Sequence, residues 1–391
     1  MSDGPRVALL IETARGYGRQ MLRGIVRYAR LHGPWGFYIT PGDFEQALPR
    51  MQQWGGTGII ARIETRRIAQ AILESGLPTI ALDLSEKEMA SGHPLSGLSE
   101  VSSDSEGAAR MAAEHLLTRG FRHFAFVGIP GRVWSHRREV GFDKSIQEAG
   151  YTVEIYKPPR AGRQRVWEQE QPILAEWLRE LPKPVGVMAC NDDRGREVLE
   201  ACRVAEIRVP EELAVIGVDN DELLCELSDP PLSSVAFNAE GTGYRVAALL
   251  DQMMRRPLRK PKRLVAEPLH VVTRRSTDAI AIEDPEIAKA VGFIHDHATE
   301  LIQIQDVVRH VAISRRNLET RFRKMVGRTP HDELQRVRLQ RAIRFLVETD
   351  LSIPKIAKAV GYSTPSYFIQ VFRKKHGTTP ARYRREMQAG A

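Results

Sequence analysis

The feature that most constrains this chain is a change of periodicity near Thr277. Before it, short continuous apolar runs alternate with amphipathic stretches; after it, only helical periodicity remains. The runs RVALLIE (6–12), TGIIARI (57–63), PTIALDL (78–84), HFAFVGI (123–129), VGVMACND (185–192) and LAVIGVDN (213–220) are short and are followed by turn residues. Between them lie helical stretches such as YGRQMLRGIVRYAR (17–30), SEGAARMAAEHLLTRG (105–120) and DRGREVLEACRV (193–204). Strands that are apolar along their whole length must be covered on both faces, which predicts parallel sheets flanked by helices. About 275 residues of this pattern exceed one ordinary core, so two Rossmann-like lobes are expected over 1–277. A linker is expected over 278–285, with AIAIEDPE leading to a helix start at Asp284–Pro285, and an all-α domain over 286–391.

The all-α part says nearly the same thing twice. Ile304, Val307, Val311 and Ser314 recur at an offset of 49 as Ile353, Ile356, Val360 and Ser363. Leu318, Phe322, Gly327 and Pro330 recur at an offset of 50 as Phe368, Phe372, Gly377 and Pro380. Each copy reads as a short helix, a tight turn and a longer helix opened by a serine, a good N-cap. Leu318 and Phe322, like Phe368 and Phe372, stand four apart and make a narrow core stripe. The opposite face carries Arg316, Thr320, Arg323 and Lys324 in the first copy, and Ser366, Gln370, Arg373 and Lys374 in the second. With their neighbours Arg315, Asn317 and Tyr367, these are donors and cations suited to base edges and phosphates, which is helix-turn-helix logic. Residues 331–348 read as a connecting helix of about 27 Å. That strut lets two recognition helices approach adjacent major grooves, roughly 34 Å apart.

Charge supports the same partner. The whole chain is net +8, yet Pro285–Ala391 alone holds 20 Lys+Arg against 10 Asp+Glu, a net of +10, which leaves −2 for the rest. A basic surface confined to one domain suits a polyanion such as DNA, although a solvated helical surface would carry the same charge.

Other chemistry finds little footing. Cys190, Cys202 and Cys225 form no CxxC pair, so neither a disulfide framework nor a zinc site is expected, and each reads as a small buried hydrophobe. No apolar run approaches the roughly 20 residues that span a bilayer, and the first residues lack a signal-peptide layout, so a cytoplasmic location is expected. Gly16–Tyr17–Gly18 and Gly128–Ile129–Pro130–Gly131 are glycine punctuation without the dinucleotide fingerprint. His295–Asp296–His297 reads as a solvated helix turn in preference to a metal pair. No catalytic residues, metal or cofactor are expected.

Ligands of parallel sheets bind at the C-terminal ends of the strands. Those ends carry Glu12, Asp83, Asp104, Asn191, Asp192, Asp219 and Asn220. A carboxylate accepts from two hydroxyls at once, an asparagine donates and accepts, and Arg138 offers a fork of donors. Trp134 can stack on the C–H face of a sugar. These residues predict a neutral polyol and no more. Helix capping is the competing role, above all for Asp104 and Asp192, which precede helical stretches.

The tail resembles the AraC-type DNA-binding domain over about 285–386, in SRRNLETRFRKMVGRTP, in the strut pattern Arg338–Leu339, Ala342, Leu346, and in IPKIAKAVGYSTPSYFIQVFRKKHGTTPARYR. Residues 5–277 resemble the periplasmic-binding-protein-like sensor of LacI-type regulators, in VSSDSEGAARMAAEHLLTRGFRHFAFVG, RREVGF, ACND and LAVIGVDN. That resemblance implies ligand contacts at Asp104, Arg138, Asn191 or Asp192, and Asp219. It departs from the LacI pattern in starting at the first sensor strand, with DNA binding expected at the other end. A LacI-type sensor followed by an AraC-type reader resembles the family of xylose operon regulators. The resemblance implies D-xylose as ligand, DNA and RNA polymerase as partners, a homodimer, and activation of sugar-use genes; another sugar, or repression, is the alternative. A sugar-processing enzyme and a plain sugar carrier are the rivals from other classes, and the basic repeat weighs against the carrier.

Overall fold

The computed structural model describes residues 4–39, 51–159, 167–278, 282 and 284–388. The chain divides into two compact units, Met1–Ala279 and Ile280–Ala391.

The first unit contains the strands β1 (Arg6–Leu10), β2 (Gly36–Ile39), β3 (Gly58–Arg62), β4 (Thr79–Leu82), β5 (Ser99–Ser103), β6 (His123–Val127), β7 (Val153–Ile155), β8 (Val185–Ala189), β9 (Leu213–Val218), β10 (Ser233–Phe237), β11 (Arg263–Ala266) and β12 (Pro268–Val272). They form two six-stranded sheets, ordered β11-β5-β4-β3-β1-β2 and β12-β10-β9-β8-β6-β7. All pairings are parallel except β10 with β12. The alternation read from the sequence thus becomes two lobes, and the central strands β8, β9 and β10 are buried along their whole length because helices cover both faces.

The lobes are not consecutive in sequence. The chain crosses after β5 through the Ser105–Leu117 helix, returns after β10 through the Ala239–Arg255 helix, and crosses again between Ala266 and Pro268. The crossings are tied together: the Asp104 N–H donates to Ala266 O (2.9 Å) and the Asn238 N–H to Glu267 O (2.9 Å). In the first lobe the Gly16–His32 helix packs against Ala239–Arg255 at backbone contact. A Cβ on Gly24 would lie 2.0 Å from Glu240 O, and one on Gly243 would lie 2.1 Å from Met21 O. Only glycine admits so close an approach.

The second unit is all helix: Pro285–His297, Ile304–Val311, Arg315–Val326, Pro330–Glu348, Ile353–Ala359, Pro365–His376 and Pro380–Gln388. The repeat is structural. Gly327 (φ +76°) and Gly377 (φ +72°) end the two longer helices alike, each donating its N–H to the arginine four residues back. One detail differs from the sequence expectation. The second longer helix is capped by Thr364, with Pro365 in its first turn, and not by Ser363; the proline fixes the helix start one residue later. The strut feeds both halves: Leu334 and Val337 enter the first core with Leu318 and Phe322, while Leu339, Ala342 and Leu346 enter the second with Phe368 and Phe372. Two residues of the segment read as a linker are built into this unit: Ile282 is buried in the first core, and Asp284 caps the first helix and pairs with Arg321 (2.6 Å).

His295 is buried, not solvated as its local sequence suggests. It bonds Glu333 of the strut at 2.9 Å, and Arg336 and Arg328 bond the same carboxylate at 2.7 and 3.1 Å. Burial alone would raise the Glu333 pKa, but the hydrogen bonds from His295 and Arg336 win and hold it at about 2, against an ordinary 4.5. Between those values the unfolded chain binds the proton and the folded chain does not, so the stabilisation is complete above about pH 4.5 and is lost as pH falls toward 2. Glu333→Gln should therefore flatten that part of the acid-unfolding profile of the helical unit, followed by circular dichroism from pH 6 down. An unchanged acid limb would show that the pair does not link folding to pH.

Candidate ligand cleft and nucleic-acid interface

The strand ends of the two lobes meet across a cavity enclosing ≈ 480 Å³, including its open mouth. Glu12, Asp83, Trp134, Arg138, Asn191 and Asp219 line it, as do Arg15, Tyr17, Arg62 and Ser103. Arg62 ends β3 and pairs with Asp83 at 2.8 Å while its Nε stands 3.9 Å from Glu12. Burial would lower the Arg62 pKa, but Asp83 and Glu12 outweigh it and hold the guanidinium charged. Arg15 bridges Glu12 (3.2 Å) and Asp193 of the other lobe (2.7 Å).

Arg138 is the deepest of these cations, 3% exposed. It donates to Cys190 O and, at 2.9 Å, to Asp219. Its guanidinium lies 5.1 Å from the Trp134 ring centroid and 5.5 Å from that of Phe237. Its Nε–H is buried with no acceptor among the described residues. A donor left so costs about 1–3 kcal/mol. Burial pushes the Asp219 carboxyl up, against the pull of Arg138. The backbone is strained here: Asp83 (φ +51°), Asp219 (φ +102°) and Asn220 (φ +46°) occupy the left-handed region directly after β4 and β9.

Three residues expected in the site lie outside the cavity lining. Asp104 caps the Ser105–Leu117 helix, accepting from the Gly107 N–H at 2.8 Å, at one of the crossings. Asp192 is buried beneath the β9 loop, where it accepts from Ser234 Oγ (2.5 Å) and the Asp221 N–H (2.7 Å). Burial, with Asp219 nearby, pushes its carboxyl well up. Asn220 turns away and accepts from Arg274 at 2.9 Å. Asn191 lines the cavity and also caps the Asp192–Val204 helix, its Oδ1 accepting from the Arg194 N–H. Arg62, at the end of β3, was not among the strand-end residues the sequence pointed to, which were carboxylates and amides. Arg15 and Tyr17 sit in the loop and first turn after β1, where the sequence carries no comparable mark.

Across the mouth, Asp221 accepts from the Gly16 N–H (2.8 Å) and from Arg19 (2.7 Å), and Arg132 holds Glu64 (2.6 Å). These contacts join the lobes around the cavity. The three cysteines are free and buried, and burial pushes their thiols up, Cys190 to about 11 and Cys202 to about 12. Among the described residues no cluster of three or more His, Cys, Asp or Glu is placed to hold a metal, and no helix is long and apolar enough to cross a membrane.

In the helical unit, Arg315, Arg316, Asn317, Thr320, Arg323 and Lys324 are all exposed on the first longer helix, and Ser366, Tyr367, Gln370, Arg373 and Lys374 on the second. Leu318, Phe322, Phe368 and Phe372 are fully buried behind them. Arg315 is partly engaged by Glu319 at 3.0 Å. The 19-residue strut between the two helices is about 28 Å long. On DNA, Arg323→Ala should weaken binding to every sequence and shallow the salt dependence by about one ion. Arg316→Ala should instead relax discrimination at particular base pairs, measured as the ratio of specific to random-DNA affinity. Equal losses on both kinds of DNA for Arg316→Ala would remove it from the base-reading set.

The chain matches three family profiles: an XylR N-terminal domain over residues 6–97, a periplasmic binding protein-like domain over 113–277 and a helix-turn-helix domain over 307–386. The xylose operon regulatory protein of Escherichia coli (strain K12) is 34% identical over 383 residues, covering 97% of this chain and 96% of that protein. That of Haemophilus influenzae is 32% identical, covering 97% and 98%. A solved structure described as the xylose-binding transcription activator xylR superposes with a TM-score of 0.79 at 34% identity, over 97% of both chains.

Proposed function

The chain belongs to the family of xylose operon regulatory proteins, and from that premise we propose that its cleft binds D-xylose and that binding drives activation of sugar-use genes through the two helix-turn-helix motifs. This is a family of transcription regulators, not of enzymes. The observation that carries the ligand reading is the composition of the cleft. Glu12 pairs with Arg15 and Arg62, Asp83 with Arg62, and Asp219 with Arg138, at distances of 2.8–3.9 Å, so that the charges balance one another. Such a lining favours a neutral polyol, whose hydroxyls donate to the carboxylates and accept from the guanidiniums. A phosphorylated sugar would add anionic charge to a lining already rich in carboxylates. Trp134, backed by Arg138, offers an aromatic wall for the C–H face of a ring.

The domain reading follows: a sugar sensor over 1–277, a connection over 278–285, and a DNA reader over 286–391. Ligand contacts are assigned to Glu12, Asp83, Trp134, Arg138, Asn191 and Asp219, with Arg15 and Arg62 added to them. Asp104, Asp192 and Asn220 are assigned supporting roles. The readers of two chains in a homodimer would meet operator DNA and RNA polymerase in the cytoplasm.

Calorimetric titration of the purified protein with a panel of pentoses and hexoses tests this reading. D-xylose should bind most tightly of the panel, and Arg138→Ala should weaken it by roughly tenfold to a hundredfold, the loss of a hydrogen bond to a charged group worth about 1.5–3 kcal/mol. A tighter pentose or hexose would replace xylose as the ligand. Undiminished affinity in Arg138→Ala would move the site elsewhere.

A further inference from the structure

The loop that follows β9 spends its three polar side chains in three directions. Asp219 faces the cleft and Arg138, Asp221 reaches the Gly16–His32 helix of the other lobe, and Asn220 points back to Arg274. Arg274 is 6% exposed and lies on the last stretch of the sensor. Its NH1 donates to Asn220 Oδ1 (2.9 Å) and Leu232 O (3.1 Å), and its Nε to Glu226 (2.6 Å).

The stretch that Arg274 begins is clamped onto the second lobe. The Arg274 N–H donates to Ser233 Oγ (2.8 Å), and that hydroxyl donates to Arg274 O. Ser276, fully buried, donates from its hydroxyl to Val215 O on β9 (2.6 Å) and accepts from the Ser233 N–H (2.8 Å). Thr277, also fully buried, bonds Ser233 Oγ (2.7 Å) and His115 Nε2 (2.8 Å), and Arg119 donates to its carbonyl (2.7 Å). In sequence, Thr277 closes this stretch just before the connection to the helical unit.

We propose that Arg274 is a positioning residue that couples the ligand cleft to the point where the chain leaves the sensor, through its bond to Asn220. The inference rests on the ligand reading above. A ligand that engages Asp219 or displaces its bond to Arg138 acts on a loop whose two successive residues, Asp219 and Asn220, hold left-handed backbone. Such backbone persists only where its surroundings over-determine it, so a change in what holds Asp219 bears on Asn220 beside it. A change at Asp219 therefore shifts Asn220, and Asn220 is bonded to the residue that starts the exit segment. Ser276 bonded to β9 and Thr277 bonded to His115 make that segment rigid enough to pass the shift on. Neither Asn220 nor Arg274 lines the cavity.

The test uses the full-length protein and operator DNA, with affinity measured with and without D-xylose. Asn220→Gly removes the acceptor and keeps a residue at ease with φ > 0; Asn220→Asp keeps an acceptor for the guanidinium. Wild type should show an operator affinity that changes on adding xylose by a factor typical of allosteric proteins, about 5- to 150-fold. Asn220→Gly should keep its xylose affinity within about threefold and its sugar-free operator affinity, while the xylose effect falls to about twofold or less; Asn220→Asp should restore most of it. Hydrogen exchange gives a second reading that does not depend on DNA. Xylose should change the protection of the 274, 276 and 277 amides in wild type and not in Asn220→Gly. Full coupling in Asn220→Gly with those amides still responding overturns the proposal, and so does a loss of xylose affinity that matches the loss of coupling, which would make Asn220 a ligand contact. A wild-type protein that binds no xylose, or whose operator affinity ignores it, tells instead against the reading under Proposed function.

Discussion

Each sensor lobe is finished by a strand that arrives late: β11 closes the first sheet, and β12 the second. Glu267 alone separates them. This forces three chain crossings into one narrow zone, bound together by the Asp104–Ala266 and Asn238–Glu267 hydrogen bonds. Almost everything else in the sensor depends on that constraint. Because the crossings lie together, the C-terminal ends of β1, β3 and β4 face those of β8 and β9, and the cavity forms between them. Because the last crossing leads into the second lobe, the chain must also leave the sensor from that lobe, beside β9 and β10. One lobe therefore carries Asp219 at the front of its central strands and the exit peg of Ser276 and Thr277 on the same strands.

The cleft so formed has to bury charge without stranding it. Removing one member of a buried ion pair leaves an uncompensated buried charge, so Arg62 with Asp83 and Glu12 forms one coupled group and Arg138 with Asp219 another. Arg62 serves both Asp83 and Glu12, and Arg15 serves both Glu12 and a residue of the opposite lobe. The Arg15–Asp193 pair ties the two lobes to each other at the cleft. Asp83 and Asp219 adopt positive φ to point carboxylates where the guanidiniums can reach them, and the strain is held in place by those same pairs.

What the sequence disclosed depended on whether a signal was local. The apolar strands, the amphipathic helices and the repeat of Leu318–Phe322 in Phe368–Phe372 are read within a window of a few residues, and the sheets and the two helix-turn-helix cores follow from them. The exposed cations of the two longer helices were equally legible, since a helix with a buried stripe must show its other face. Partners distant in sequence were not. Nothing near His295 announces Glu333, 38 residues on, which turns a seemingly solvated histidine into a buried pin. Likewise Asn220 looks like a ligand residue until Arg274, 54 residues later, occupies its side chain. Asp104 and Asp192 were ambiguous for a different reason: a strand end followed at once by a helix start puts capping and ligand binding at adjacent residues, and in the structure the caps are Asp104 and Asn191, which also lines the cavity, while Asp192 is buried beneath the β9 loop.

The reader solves a comparable problem with one side chain. Arg338, in the middle of the strut and 6% exposed, donates to Ala298 O (2.8 Å) and Glu300 O (2.7 Å) at the end of the unit's first helix, and its guanidinium lies against the Tyr362 ring in the turn of the second motif. The neighbouring Gly361 (φ +87°) admits this contact, because a Cβ there would stand 2.4 Å from Ala298 O. Tyr362 returns to the strut through Gln335 at 2.5 Å. The three parts are thus fixed to one another through carbonyls and a ring, none of which shifts with pH in the physiological range. Two recognition helices separated by a helix of fixed length need such a joint, because groove spacing along DNA is fixed and a loose strut would lose the register between two half-contacts. The equivalent turn of the first motif has Ala312 in the same left-handed conformation (φ +54°). The repeat is therefore symmetric in its cores and asymmetric in its joints: the second motif is braced against the strut and the first helix by Arg338, whereas the first motif is held by its shared core and by Asp284 on Arg321.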